Sequence, residues 1–430
     1  MRPHTHPPTE IAADNRIKPP ACQEPDRALE LAPAKPTVCP YGRKPSPMAL
    51  ITDTASLRHR LERSRQDAYV ALDTEFMRER TYWPKLCLIQ IADSAGGFAV
   101  DPLARNIDLQ PFWELVLDWP GTKVFHACRQ DMEIIYHATG RLPHPVFDTQ
   151  VAAMVLGYGD SIAYDSLVQK ITGERLSKGA RFTDWSHRPL SDRQLAYALA
   201  DVIHLRPVYE HLAAELERRG RSEWVREEMA KLTDPATYAL DPERAWQRLK
   251  LRRPSRRELA RAQALARWRE EEAQRRDVPR NRIIKDEALL EIITHPPKKP
   301  ADLDRLRGVG NGFHASKAGR ALWTALQAAE AQPKEELPAL PTRKPRRDAP
   351  QPAVDMLKLL LKLKAAEADV APRLIASQED LERLAAGERG KDLPPLTGWR
   401  YDVFGRDALA LLEGRLRIGL RDGAIVLENA

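Results

Sequence analysis

Two acidic residues at the end of an apolar stretch have the types and the spacing of a cation site. Asp73 and Glu75 follow the apolar stretch that starts at Val70, and on a β-strand two residues spaced in this way point to the same face. Neighbouring carboxylates repel each other, and each is costly to remove from water. A bound Mg²⁺ or Mn²⁺ offsets both costs, because these ions prefer carboxylate oxygen. An isolated Asp-x-Glu is more often a strand that ends in an acidic loop, so the hypothesis needs support from elsewhere in the chain.

Two later segments supply acidic residues that could join this pair. Asp131 begins an expected helix just after an expected strand, where an acid commonly caps the helix N-terminus. Tyr197 and Asp201 are four residues apart and share one helix face. That face also carries Gln194 and apolar neighbours, so it points inward, and packing alone would also explain a buried Tyr–Asp pair. The three patterns together, in this order, are much less expected by chance than any one of them.

These residues resemble the motif set of a known enzyme superfamily. Asp73-x-Glu75, then Asp131, then Tyr197-x-x-x-Asp201 is similar to the DEDD exonuclease superfamily in its tyrosine subclass. The resemblance implies that Asp73, Glu75, Asp131 and Asp201 hold two divalent metal ions, Mg²⁺ or Mn²⁺, and that Tyr197 orients the attacking water. The five residues would then form the catalytic site of a phosphodiester hydrolase.

Within that superfamily the chain resembles the ribonuclease D family over residues 50–430. The matching first-motif residues are Asp73 to Arg78, Thr81 to Leu86 and Leu88 to Gln90, and the matching third-motif surroundings are Asp184-Trp185, Arg188-Pro189-Leu190 and Gln194. The resemblance implies a ribonuclease H-like α/β fold followed by HRDC domains. It also implies a 3′ to 5′ exoribonuclease that releases 5′-nucleotides and trims structured RNAs such as tRNA precursors.

Two alternatives remain open at this point. The same active site would serve a DNA exonuclease, because discrimination depends on contacts to the 2′-hydroxyls that the sequence does not show. A nucleic-acid-binding protein with an inert α/β domain is the other alternative, and the complete set of four acids and one tyrosine argues against it.

The weaker candidates for binding the substrate are Phe76, Met77, Lys178, Arg188 and Gln194. The first two follow the carboxylates and could stack on bases, although core packing is an equal alternative. Lys178 and Arg188, together with Arg181, could bind phosphate, and a solvated surface charge is the alternative for each. We expect His126 to be a packed or capping histidine and Asp148 to be structural.

The elements that must position these residues alternate between strand and helix. Expected strands span 69–75, 86–92, 97–100, 123–126 and 146–148, and expected helices span 55–65, 109–117, 129–139, 149–157, 164–172 and 191–218. Early strands at hairpin spacing followed by strand–helix alternation predict a mixed sheet flanked by helices. We therefore assign the 3′–5′ exonuclease domain to residues 48–218.

Helical periodicity dominates after residue 218. A weak internal repeat relates Val278-Pro279-Arg280 to Val370-Ala371-Pro372-Arg373, and it predicts two all-α HRDC domains at 219–331 and 353–430, the second divergent. A linker rich in proline and charge, 332–352, separates them. Residues 1–47 are polar and rich in proline, which predicts disorder, and we expect translation to start at Met48.

Composition is consistent with a polyanionic partner. The chain has 430 residues, a formal net charge of +7 and a pI of about 9.2, a modest basic excess. No apolar run is long enough for a membrane span, and the N-terminus lacks the apolar segment of a secretory signal. The four cysteines show no paired metal spacing. We expect a cytoplasmic RNA-binding monomer with no obligate protein partner.

Overall fold

The computed structural model describes residues 50–177, 179, 183–340 and 349–430. The predicted disorder of residues 1–47, the start at Met48, Lys178 and Arg181 lie outside the described residues. Among the described residues, no helix combines the length and the apolar character that crossing a membrane requires.

A mixed six-stranded sheet forms the centre of the first domain. Its strands are β1 Leu50–Ile51, β2 Tyr69–Met77, β3 Lys85–Asp93, β4 Gly96–Val100, β5 Thr122–Phe125 and β6 Val146–Asp148. The spatial order is β1-β4-β3-β2-β5-β6. β3 pairs antiparallel with both β2 and β4, whereas β5 pairs parallel with β2 and β6. Strand β2, which carries the paired acids and continues to Met77, therefore lies in the interior of the sheet, and the predicted mixed topology is confirmed.

Helices cover the sheet, and they are α1 Thr54–Ser64, α2 Gln110–Leu117, α3 Arg129–Thr139, α4 Thr149–Val155, α5 Tyr164–Thr172, α6 Asp192–Ile203, α7 Leu205–Arg218 and α8 Ser222–Leu232. Two features differ from the sequence prediction. The short strand β1 was not predicted, and the single helix expected over 191–218 is broken at His204. Pro207 explains the break, because it has no N–H to donate to the carbonyl of Ile203.

A first helical domain follows, with α9 Arg256–Arg276, α10 Arg280–Ile283, α11 Asp286–Thr294 and α12 Lys317–Ala331. Its core is formed mainly by apolar residues of α9, α11 and α12, including Leu265, Leu289 and Leu322. A capping box at Ser255 and Glu258 begins α9. The first part of the predicted linker packs back on this domain, since Arg256 donates a hydrogen bond to the Leu337 carbonyl.

The second helical domain contains α13 Gln351–Glu367, α14 Pro372–Ile375, α15 Gln378–Ala385, α16 Gly398–Arg400, α17 Arg406–Leu412, β7 Leu416–Arg421 and β8 Ala424–Asn429. The all-α prediction for this segment is wrong, because β7 and β8 form an antiparallel hairpin. Asp422 and Gly423, at the turn, both have positive φ, as a type I′ turn requires. An Asp-Gly pair between alternating apolar residues is a strong hairpin signal that the sequence analysis missed.

Helix α8 belongs by packing to the first domain. Its buried residues Val225 and Met229, together with Tyr238, lie in the same apolar cluster as the core of the sheet domain. The second helical domain contacts this helix, since Trp224 and Trp399 stack with ring centroids 4.3 Å apart. The predicted border at residue 218 thus separates residues that share one core.

Candidate active site

Strand β2 and helix α6 bring three acids together. The carboxylate oxygens of Asp73, Glu75 and Asp201 lie within 4.8 Å of one another. Helix α6 buries Leu195, Ala198, Leu199 and Val202 and packs against β2, β3 and β4. The arrangement agrees with the shared strand face predicted for the first two acids and with the inward helix face predicted for the third.

Asp131 lies beside this cluster in the first turn of α3. It is 6 % exposed, and its Oδ1 accepts a hydrogen bond of 2.5 Å from the hydroxyl of Thr74. Asp131 is not one of the three residues whose oxygens share the 4.8 Å cluster. A role as a fourth metal ligand therefore stays a prediction. Thr74 was not predicted as a site residue, although its place between the two acids could have indicated it.

Burial and mutual repulsion raise the pKa values of these acids. The pKa of Asp73 lies well above its usual range, first because of burial and then because of Asp131, Asp201 and Glu75. Burial, Asp201 and Asp131 raise the pKa of Glu75 to about 8, and burial raises that of Asp131 to about 7. A divalent cation would reverse these shifts, because it stabilises the charged form of each acid. The donor set is hard oxygen and fits Mg²⁺ or Mn²⁺.

The metal-free protein is expected to lose stability as the pH rises from about 5 to about 8. Glu75 ionises near its ordinary pKa of 4.5 when unfolded, but only near pH 8 when folded. Between these values the folded state holds more protons, so the free energy of unfolding falls as the pH rises. Melting temperatures measured in EDTA at pH 5 and pH 8 would show this fall. Glu75→Gln should weaken the fall; an identical dependence in both proteins would contradict the assignment.

A cleft of about 450 Å³ opens beside the acids. Tyr197 and Asp201 line it together with Tyr164, His126 and Gln150. Burial and the nearby Asp201 hold the pKa of Tyr164 well above its usual range, so that its hydroxyl stays neutral. The cleft can therefore offer neutral hydrogen-bonding groups next to the acids. Neither Tyr164 nor Gln150 was predicted from the sequence, because no local pattern distinguishes them from packed residues.

His126 and Asp148 have the structural roles expected for them. His126 Nδ1 lies 2.9 Å from the hydroxyl of Thr149. The Asp148 carboxylate accepts hydrogen bonds from the N–H groups of Ala127 (3.0 Å) and Cys128 (2.8 Å) and also caps α4. Ala127 has a φ of 58°, a region that non-glycine residues rarely adopt. Asp148 thus fixes the turn that leads into α3 and Asp131.

Phe76 and Met77 have different surroundings. Both are half-buried. Met77 packs against the apolar cluster that contains Trp185 and Leu199, which favours the packing alternative for this residue. Among the described residues, Phe76 belongs to none of the apolar clusters. Stacking on a base therefore remains a prediction for Phe76 alone.

Arg188 is a structural residue, and the prediction that it binds phosphate is wrong. Its guanidinium donates two hydrogen bonds of 2.7 Å to the carboxylate of Asp101. The remaining N–H groups bind the carbonyls of Trp185, His187 and Cys87. All five donors of the side chain are thus used within the protein.

Gln194 caps helix α6. Its Oε1 accepts hydrogen bonds from the N–H and the hydroxyl of Ser191, at 3.0 and 2.9 Å, and its Nε2 lies 3.3 Å from the Thr183 hydroxyl. These contacts explain the residue without substrate, so we do not retain it as a candidate for substrate binding.

Two family models match the chain. Residues 48–217 match the 3′-5′ exonuclease family, and residues 258–326 match the HRDC domain. The first match contains all the acids of the site and Tyr197. The second lies within the first helical domain.

Curated relatives cover nearly the whole chain. Ribonuclease D of Granulibacter bethesdensis is 50 % identical over 379 residues, which are 88 % of this chain and 95 % of the relative. Ribonuclease D of Zymomonas mobilis is 48 % identical over 383 residues, 88 % of this chain and 97 % of the relative. Among solved structures, Escherichia coli RNase D, described as an exoribonuclease involved in structured RNA processing, superposes with a TM-score of 0.73 at 30 % identity. That match covers 86 % of this chain and 99 % of the E. coli chain.

Proposed function

This chain belongs to the ribonuclease D family of 3′–5′ exoribonucleases, and we propose that it uses two divalent metal ions to trim the 3′ ends of tRNA precursors and other structured RNAs. The observation that carries the proposal is the cluster of Asp73, Glu75 and Asp201, whose oxygens lie within 4.8 Å of one another. We further propose that the protein acts as a monomer in the cytoplasm.

The proposed chemistry assigns a task to each residue of the site. Asp73, Glu75, Asp131 and Asp201 would hold the ions. When bound, the ions supply an activated water and neutralise the charge that develops on the leaving 3′ oxygen. Tyr197 lines the same cleft, and its hydroxyl would orient the attacking water by a hydrogen bond, since a neutral phenol is a poor base. The products are 5′-nucleotides, released one at a time.

Degradation of end-labelled RNA and DNA oligomers, with Mg²⁺ or with EDTA, tests the proposal. We expect a ladder that shortens from the 3′ end of RNA with Mg²⁺ and intact RNA with EDTA. A clear preference for DNA would favour the DNA exonuclease alternative. Binding of RNA without any degradation would favour the non-catalytic alternative.

A basic groove in the first helical domain is a candidate path for the RNA backbone. It has a volume of about 590 Å³ and is lined by the glycine turn 308–310 and by Arg275, Arg276, Arg282 and Lys317. Arg275 and Arg276 lie near Glu272, at 2.7 and 3.8 Å. For Arg282 and Lys317, the described residues show no acidic partner. Glu272 lines the same groove next to Arg275 and Arg276, and the other two cations, which lack an acidic partner among the described residues, suit a phosphodiester backbone beside the glycine turn. We propose this groove as the RNA contact of the HRDC domain.

Arg282→Ala is expected to weaken RNA binding and to lower its salt dependence. The loss of one phosphate contact should reduce the log–log slope against salt by about 0.7 for single-stranded RNA. Fluorescence anisotropy across a salt series measures both effects. Arg305→Ala is the matched control, because this arginine is 80 % exposed and does not line the groove. Equal effects of the two variants would contradict the assignment.

A further inference from the structure

Loop 78–84, which joins β2 to β3, connects the acid-bearing strand to the first helical domain. Tyr82, in this loop, is 5 % exposed and packs within the apolar core of the first helical domain. Its aromatic ring also lies under the guanidinium of Arg280, 4.7 Å from the ring centroid. A residue of the sheet domain is thus part of the core of its neighbour.

Polar contacts hold this loop from the end of helix α9. Oδ1 of Asp277 accepts hydrogen bonds of 3.0 Å from the backbone N–H groups of both Tyr82 and Trp83. The Tyr82 hydroxyl donates to the Glu270 carboxylate and accepts a 2.8 Å hydrogen bond from Arg280. Glu270 is 3 % exposed, so its hydrogen bond with Tyr82 is buried and is worth more than the same pair at the surface. Asp277 itself is exposed, and its two hydrogen bonds lie nearer the surface.

The same loop is attached to helix α3, which carries Asp131. Arg78 makes a bidentate ion pair with Glu133, at 2.8 and 2.6 Å. Trp83 stacks on His137 with ring centroids 3.9 Å apart and planes 9° apart. The loop is therefore continuous with β2 and in contact with α3, two of the three elements that present acids, and is itself held by the first helical domain.

The equivalent turn of the second helical domain also docks on the sheet domain. Asp277 and Asp369 precede the two halves of the internal repeat, and both have a positive φ, 48° and 46°. The Asp369 carboxylate accepts a 2.7 Å hydrogen bond from Arg219, and the N–H of Ala371 donates to the Met154 carbonyl at 2.8 Å. The repeated turn thus serves in both domains as a contact to the sheet domain.

We propose that Asp277 and Tyr82 are positioning residues that align the metal-binding acids through loop 78–84. The inference rests on the proposed function and adds to it a second role for the first helical domain. By holding the loop, the domain fixes the end of β2 relative to α3, and hence Asp73 and Glu75 relative to Asp131. Catalysis and metal binding depend steeply on such alignment.

Asp277→Gly is the sharpest test, because glycine adopts the positive φ without strain while removing the acceptor. We expect kcat on a short single-stranded RNA to fall roughly tenfold with little change in KM. Calorimetry should show weaker Mg²⁺ binding in the absence of RNA. Asp277→Asn should restore most of both losses, since its side-chain oxygen accepts the same two hydrogen bonds and asparagine tolerates this backbone.

Asp422→Gly is the matched control, because Asp422 has the same kind of backbone, with a φ of 52°, in the C-terminal hairpin far along the chain. Wild-type kcat and Mg²⁺ affinity in Asp277→Gly would overturn the inference, as would an Asp277→Asn variant as impaired as the glycine variant. If Asp277→Gly does not fold, Tyr82→Phe, which lacks the hydroxyl bound to Glu270, tests the other attachment of the same loop, with the same losses expected. Failure of the proposed function itself would show separately, as a wild-type protein that leaves RNA intact with Mg²⁺, and the calorimetric comparison would still decide the inference.

Discussion

Replacing Asp73 by Asn is expected to lower RNA turnover by at least about 10⁴-fold, the scale seen when a central group of a catalytic unit is removed. Asp73 lies in the cluster with Glu75 and Asp201, and the loss of its charge removes a donor from any bound metal ion. The fold should persist, because Asn has the same shape. Single-turnover cleavage of a 3′-labelled oligomer in Mg²⁺ measures the effect.

The same substitution should leave the metal-free protein as stable as the wild type or more stable. Repulsion from Asp131, Asp201 and Glu75 contributes to the raised pKa of Asp73, and the amide relieves it. Asp118→Asn is the control, since Asp118 is a half-exposed surface carboxylate paired with Arg141. A folded Asp73→Asn protein with near-wild-type turnover would show that this acid is not part of the active site.

Tyr197→Phe is expected to reduce turnover by roughly 10²–10³-fold while Mg²⁺ affinity is retained. The change removes only the hydroxyl, and the loss of one orienting hydrogen bond in a transition state typically has an effect of this size. The ring should stay in place, because Tyr197 packs against the apolar cluster of Trp185 and Leu199. Rapid-quench kinetics and calorimetry together measure rate and metal binding.

Tyr401→Phe, at a 36 % exposed tyrosine of the second helical domain, controls for loss of a tyrosine hydroxyl in general. If Tyr197→Phe mainly destroyed Mg²⁺ affinity, the hydroxyl would be acting at the metal and not at the water. A wild-type rate would remove Tyr197 from the proposed mechanism altogether.

The helical domains share apolar packing with the sheet domain, and this packing limits what a deletion can show about the enzyme. Tyr82 packs in the core of the first helical domain, and Val225 of α8 packs in the core of the sheet domain. A truncation at residue 218 would therefore expose apolar surface on the catalytic domain. Point variants such as Asp277→Gly separate binding from positioning more cleanly than deletion does.

The local elements of the catalytic domain could be predicted because their causes are local. Helix α3 and strand β6 have the predicted bounds, since apolar periodicity and turn residues act between neighbours in the chain. The pairing of Asp73 with Glu75 on one strand face follows from the same short-range geometry. The missed hairpin at Asp422-Gly423 was also local, and attention to its turn residues would have found it.

Residue types and local spacing predicted the acids, the tyrosine and the elements that carry them. The contacts made in the folded chain set which charged residues are available to a ligand. Arg188 donates hydrogen bonds to Asp101, and Asp131 accepts a hydrogen bond from Thr74. In each pair the two residues are distant in the chain. Asp277, directly after α9, holds loop 78–84 in the same way. Hydrogen bonds and desolvation depend on which groups the fold brings within about 3 Å, and no spacing in the sequence fixes contacts between elements so far apart.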